Sequence, residues 1–256
     1  MSKHNGKFVW YELLTTDLKA AETFYRAVVG WSTKDAGMSD HGYTLCSAGE
    51  ALVAGMMPTP EEARAKGVPP CWTGYVAVDD VDAVAQRVVD AGGRLERAAD
   101  DIPGVGRFAV VADPQGAVFI LFKSASEAPA AAAPGAPGNV GWRELHAQDG
   151  ASALDFYANL FGWTQARSID VGPIGAYRIF AIDGVDAGGI MTKTPDSPKA
   201  FWLYYFGVDD IEAAAGRVAK AGGQVIYGPM RVPGGGSILQ CLDPQGAMFA
   251  LFAPPH

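Results

Sequence analysis

The chain has few cysteines, few histidines, no long apolar run and no concentration of positive charge. Each shortage removes a class of function. Three cysteines in 256 residues, Cys46, Cys71 and Cys241, are an odd number at wide spacing, and none forms a CxxC pair. Nothing here indicates a disulfide framework or a thiolate metal site, so the thiols read as small apolar fillers in a reducing compartment. No apolar run opens the chain and none is long enough to span a bilayer, so the expected location is the cytoplasm. Twenty basic residues against 28 acidic leave a formal charge of −8, with no local basic patch to offset it. That balance argues against nucleic acid and against a polybasic membrane contact. Only four histidines occur, His4, His41, His146 and His256, too few for two conventional imidazole metal sites.

What the chain does have, it has twice. Trp10, Trp31 and Trp72 recur as Trp142, Trp163 and Trp202, at offsets of 132, 132 and 130 residues. WYELLTTD at 10–17 returns as WRELHAQD at 142–149, and VDDVDAVAQRV at 78–88 as VDDIEAAAGRV at 208–218. FY, GW, AGG and DPQGA phrases also repeat. A tandem repeat of two domains follows, each large enough for its own core. The proline- and alanine-rich stretch 124–138 reads as a semi-extended linker between a domain within 1–123 and a second within 139–256.

Each domain shows one order of elements: strand, helix and three strands, then the same again. Phe24, Tyr25 and Val28, and likewise Phe156, Tyr157 and Leu160, have the three-and-four spacing of a buried helix stripe, stopped by Gly30 and Gly162. Asp80 and Asp210 stand where helix amides need capping. DPQG at 113–116 and 243–246 is a hairpin turn, with aspartate for a local hydrogen bond, proline for fixed φ and glycine for positive φ. These motifs read as structural. The expected fold is α+β: four βαβββ units, two to a domain, each pair forming a curved half-open barrel with helices outside.

That arrangement resembles the vicinal oxygen chelate superfamily of glyoxalase I, bleomycin resistance proteins and extradiol dioxygenases. The resemblance is carried by Asp17 through the FY-x4-GW helix end, by VDDVDA and by DPQGAVFILF, all in the same order twice. The WxEL openings and DPQGA closings look closest to the two-domain branch labelled hydroxylase-like, glyoxalase-like or 27 kDa antigen-like. Metal enzymes of the superfamily draw ligands from set strand positions. Those positions fall here on Trp10, Thr73 and Ile120, and in the second domain on Trp142, Leu203 and Ala250. Indoles and alkyl chains do not coordinate a divalent ion and a lone threonine is a poor ligand, so no metal and no cofactor is expected.

If the ligand positions face a cavity, period two puts Glu12 and Leu14 beside Trp10, and Glu144 and His146 beside Trp142. Tyr75 and Tyr205 lie two residues beyond Thr73 and Leu203 on the same face. A carboxylate in apolar surroundings must find a partner or hold a proton, and its pKa is expected to rise, which suits acid–base work. The structural alternative is a glutamate that caps amides or pairs with Arg107 or Arg143. His146 replaces Leu14, so the fold does not require it. Glu144 with His146 reads as a carboxylate–imidazole pair or as half of an unconventional metal site. Trp10 and Trp142 read as stacking walls or plain core, and Thr73, Tyr43 and Tyr177 as lining or rim. Arg107, whose counterpart is Ser237, is expected to hold an anion if it reaches the cavity. The proline–glycine loops near 103 and 233 lack the lysine of a phosphate loop, which excludes nucleotide binding.

Three functions fit: an enzyme moving a proton on a small oxygenated or aldehydic metabolite through Glu12 or Glu144, a protein that binds or sequesters a small molecule, or an interaction scaffold. The expected partner is a small molecule. The chain itself is either a monomer with pseudo-dimeric domains or a homodimer.

Overall fold

The computed structural model describes residues 4–37, 42–126, 135–195 and 197–255. The core of the linker, His41 and His256 lie outside these residues. The first repeat runs β1 (Phe8–Thr15), α1 (Leu18–Val29), β2 (Ser32–Asp35), β3 (Thr44–Ala48), β4 (Ala51–Pro58), α2 (Glu61–Ala65), β5 (Cys71–Ala77), α3 (Val81–Asp90), β6 (Arg94–Ile102), β7 (Gly106–Ala112) and β8 (Val118–Ser124). The second runs β9 (Val140–Ala147), α4 (Gly150–Phe161), β10 (Thr164–Asp170), a 3-10 turn at Gly172–Ile174, β11 (Ala176–Ile182), β12 (Val185–Thr192), β13 (Phe201–Gly207), α5 (Ile211–Lys220), β14 (Gln224–Arg231), β15 (Ser237–Leu242) and β16 (Met248–Ala253).

Each repeat carries one open eight-stranded mixed sheet. The orders are β2-β3-β4-β1-β5-β8-β7-β6 and β10-β11-β12-β9-β13-β16-β15-β14. In every βαβββ unit the last strand returns parallel to the first, as β4 does beside β1 and β8 beside β5. This is the α+β tandem fold that the repeat implied. Helix starts follow from the aspartates: Asp17, Asp80, Asp149 and Asp210 each accept a hydrogen bond from the amide three residues on. Gly30 and Gly162 end α1 and α4 with φ of 87° and 78°, a region open to glycine at no steric cost. The sequence reading missed α2, a five-residue helix of Glu, Ala and Arg after Pro60. Among the described residues no helix is long and apolar enough to cross a membrane.

Compactness does not follow the repeat. One compact unit comprises Met1–Val9, Thr73–Ala131 and Arg143–Trp202, and the other Trp10–Trp72, Ala132–Trp142 and Leu203–His256. Each unit therefore takes segments from both repeats, and each is closed by the recurrent aromatics. In the first, Tyr157 stacks on Trp163 at 5.0 Å and meets Trp202 edge-on at 5.4 Å, while Trp163 donates to the Gly6 carbonyl at 2.8 Å. In the second, Tyr25 stacks on Trp31 at 5.7 Å and meets Trp72 edge-on at 5.2 Å, while Trp31 donates to the Gly138 carbonyl at 2.7 Å. The GW tryptophan of each repeat thus holds the residues that lead into the other repeat's first strand.

Candidate functional site

Two glutamates, Glu12 and Glu144, are the buried carboxylates of the opening strands, at 8% and 6% exposure. Parallel pairing sets Glu12 opposite Gly55 of β4 and Glu144 opposite Gly189 of β12. Those glycines make room for a tyrosine. A Cβ on Gly55 would lie 2.0 Å from Tyr43 Oη, and one on Gly189 would lie 2.1 Å from Tyr177 Oη. Each ring crosses its glycine and reaches the glutamate beyond. Tyr43 Oη donates to Glu12 Oε2 at 3.0 Å, and Tyr177 Oη donates to Glu144 Oε2 at 2.9 Å. Burial, followed by the charge on Glu12, holds the Tyr43 phenol well above its ordinary pKa, so it is a hydrogen-bond donor and not a phenolate.

Gly189→Ala should therefore expel Tyr177 from its seat, and Gly55→Ala should expel Tyr43. Each variant is expected to lose about 1–3 kcal/mol, because a buried carboxylate loses its hydroxyl donor and the strand pair is overpacked. A urea midpoint that shifts down at unchanged slope would show it. A midpoint equal to the parent would refute the seating.

Each tyrosine–glutamate pair has a further neighbour. In the first, Trp10 Nε1 donates to Tyr43 Oη at 3.0 Å, which makes a chain from indole to phenol to carboxylate. In the second, Glu144 Oε1 lies 2.8 Å from His146 Nε2. The imidazole stacks on Phe201 at 4.5 Å and 6°. The first repeat has Leu14 and Cys71 at those two places. The expected carboxylate–imidazole pair is thus present in the geometry, along with Tyr177 and the unforeseen Phe201.

The remaining candidates separate. Thr73, Tyr75 and Tyr205 are buried. Tyr75 stands opposite Ile120 and Tyr205 opposite Ala250 in parallel register, and Tyr205 Oη accepts from Gln240 Nε2 at 3.1 Å. Trp142 is half-buried. Arg107 does not fit the anion-holding role. It makes a two-pronged pair with Asp82 at 2.8 and 2.9 Å and a third contact with Asp101 at 3.1 Å. Two carboxylates already neutralise it, because β6 brings Asp101 opposite Arg107 and the first turn of α3 presents Asp82.

Sequence reasoning passed over a second set of buried polar groups. Asp113 Oδ1 accepts from the Gln115 and Ala117 amides, as expected of the turn, but Oδ2 accepts from Tyr157 Oη at 3.1 Å. Tyr157 in turn accepts from Trp202 Nε1 at 3.1 Å. Asp243, Tyr25 and Trp72 repeat this arrangement at 3.1 and 2.8 Å. All six residues sit in the repeated phrases, and that was the available signal.

Burial raises the pKa of both aspartates above 3.8. Folding therefore favours their protonated form. Their contribution to stability is full below about 3.8, the unfolded value, and is lost as pH rises through each raised folded value. The stability of the parent relative to an Asp113→Asn/Asp243→Asn double variant should fall as pH goes from 3 to 7, read from urea midpoints. A difference that grows with pH would contradict the assignment.

The ligand positions do not suit a divalent ion. Trp10 directs its N–H to Tyr43, and Ile120, Leu203 and Ala250 are buried hydrocarbon. Among the described residues no group of three or more His, Cys, Asp or Glu side chains lies together as a metal site would require. The model of the glyoxalase/bleomycin resistance protein/dioxygenase superfamily matches residues 7–121 and 140–251. The chain belongs to that superfamily. It is 36% identical over 247 residues to the protein named "Putative glyoxylase CFP32" of Mycobacterium bovis, covering 96% of this chain and 94% of that one. It is 33% identical over 261 residues to "Anthracycline biosynthesis protein DauV" of Streptomyces sp. strain C5, covering 96% and 92%. The Mn(II)-bound glyoxalase from Novosphingobium aromaticivorans shares the fold at TM-score 0.66 and 19% identity, over 99% of this chain and 83% of that one. The 2,2',3-trihydroxybiphenyl 1,2-dioxygenase of Sphingomonas wittichii does so at TM-score 0.67 and 14% identity, over 98% and 91%.

Proposed function

We propose that this superfamily member binds a small oxygenated or aldehydic metabolite and moves a proton on it without the usual divalent ion. The proton-handling site is Glu144 with His146 and Tyr177, and Glu12 is a structural carboxylate. The observation that carries this reading is the 2.8 Å contact between Glu144 and His146, a pair the fold does without in its first copy. A carboxylate that orients an imidazole is a recurrent way to make a base near neutral pH. The first copy has Leu14 where the second has His146, so Glu12 has no imidazole two residues beyond it to orient. The glyoxylase-named relative supports an aldehyde or ketone as ligand, and the anthracycline-biosynthesis relative supports an oxygenated aromatic one.

Hydroxyacetone and glyceraldehyde, mixed with chelator-treated protein in D2O, test the reading by proton NMR. Loss of the signal from the carbon next to the carbonyl, faster than in buffer, is the expected result. Quenching of tryptophan fluorescence without exchange would favour the second reading, a protein that sequesters its ligand. The half-buried indoles at 10 and 142 speak for that alternative. No quenching and no exchange with either compound would count against both.

A further inference from the structure

Resting on the proton-transfer reading above, we propose that Nδ1 of His146 is the atom that accepts the proton, and that Glu144 is its positioning residue and not the base. The argument is one of hydrogen-bond valence. A phenol has one hydrogen, and that of Tyr177 goes to Glu144 Oε2. The other oxygen faces His146 Nε2 at 2.8 Å. An ionised carboxylate only accepts, so Nε2 carries the imidazole hydrogen and the ring's lone pair sits on Nδ1. Among the described residues Nδ1 makes no hydrogen bond.

Three further features suit the role. Phe201, stacked within 6° of parallel, fixes the ring plane and so the direction of the lone pair. The His146 side chain is 13% exposed, so it is largely screened from bulk water. The carboxylate on the far side of the ring stabilises the imidazolium that forms.

The step is balanced as it stands. A C–H bond next to a ligand carbonyl breaks, its electron pair moves into the enolate, and the proton bonds to Nδ1; reversal returns it to carbon. Carbonyl compounds with an acidic α-hydrogen are the substrate class.

Long-range proton–nitrogen NMR of the 15N-labelled full chain reads the tautomer directly. In its neutral form the His146 ring should show a pyrrole-type Nε2 and a pyridine-type Nδ1. Glu144→Gln, which can donate as well as accept, should convert this to a mixture of tautomers. Glu12→Gln should leave the His146 signals in place. In the hydroxyacetone exchange assay, His146→Leu should lower the rate at least 100-fold. That variant restores the residue of the first repeat and so is suited to the fold; a urea midpoint near the parent's confirms folding. A hydrogen on Nδ1, a tautomer indifferent to Glu144→Gln, or exchange that survives in His146→Leu overturns the proposal alone. Failure of the parent to exchange hydroxyacetone overturns the proton-transfer reading as well.

Discussion

Replacing Asp243 by alanine should lower stability by about 3–5 kcal/mol. The carboxylate accepts from the Gln245 and Ala247 amides through Oδ1 and from Tyr25 through Oδ2. Each donor left without an acceptor costs about 1–3 kcal/mol when buried, and the sum falls short of additive because the three share one acceptor group. Relief from burying the charge offsets part of the loss. The Tyr25 ring is fully buried between Trp31 and Trp72, so water cannot take the place of the aspartate. Asp113→Ala should behave alike through Tyr157. Asparagine at either site keeps an acceptor for the turn and should cost less. Urea unfolding with an unchanged slope is the measurement, and a loss below about 1 kcal/mol for Asp243→Ala would show that this carboxylate is not holding Tyr25 in place.

Replacing Glu144 by alanine should affect function as strongly as Asp243→Ala affects stability. Proton exchange should fall by about 10²–10⁴-fold, because the imidazole that accepts the proton loses the carboxylate that fixes its tautomer. Tyr177 and His146 both lose their acceptor, which should also cost about 2–3 kcal/mol. Glu12→Ala provides the comparison. It orphans Tyr43 and should lose similar stability, yet leave exchange near the parent rate. The contrast separates a damaged fold from a damaged site, because both variants are destabilised and only one should lose activity. Equal loss of exchange in the two would mean that the proton-transfer role is not confined to the second copy.

Much of this was legible from local spacing. Asp80 and Asp210 cap the helices that their positions imply, and Glu144 lies within hydrogen-bond distance of His146, two residues along the same strand. What escaped was set by pairing between distant segments. Tyr25 and Asp243 are 218 residues apart, and each had a sufficient local explanation, a helix stripe for one and a turn for the other. Tyr43 and Tyr177 drew little weight as rim residues, because only the register that sets a glycine opposite each glutamate shows why they reach so far. Arg107 is a lone arginine in a glycine-rich stretch, which gives no hint that Asp82 and Asp101 converge on it. The division into compact units that draw on both repeats has no local signature, since matching phrases recur in both repeats.

The proposed chemistry gives a tyrosine-held carboxylate and an imidazole the work that a metal does in the superfamily's metal enzymes. It is tested most directly by titrating chelator-treated protein with Mn(II), Zn(II) and Co(II) while following hydroxyacetone exchange. Exchange should be present in the stripped protein, unchanged by any of the three ions, and abolished by His146→Leu. Exchange that vanishes on chelation and returns with one equivalent of an ion would contradict it.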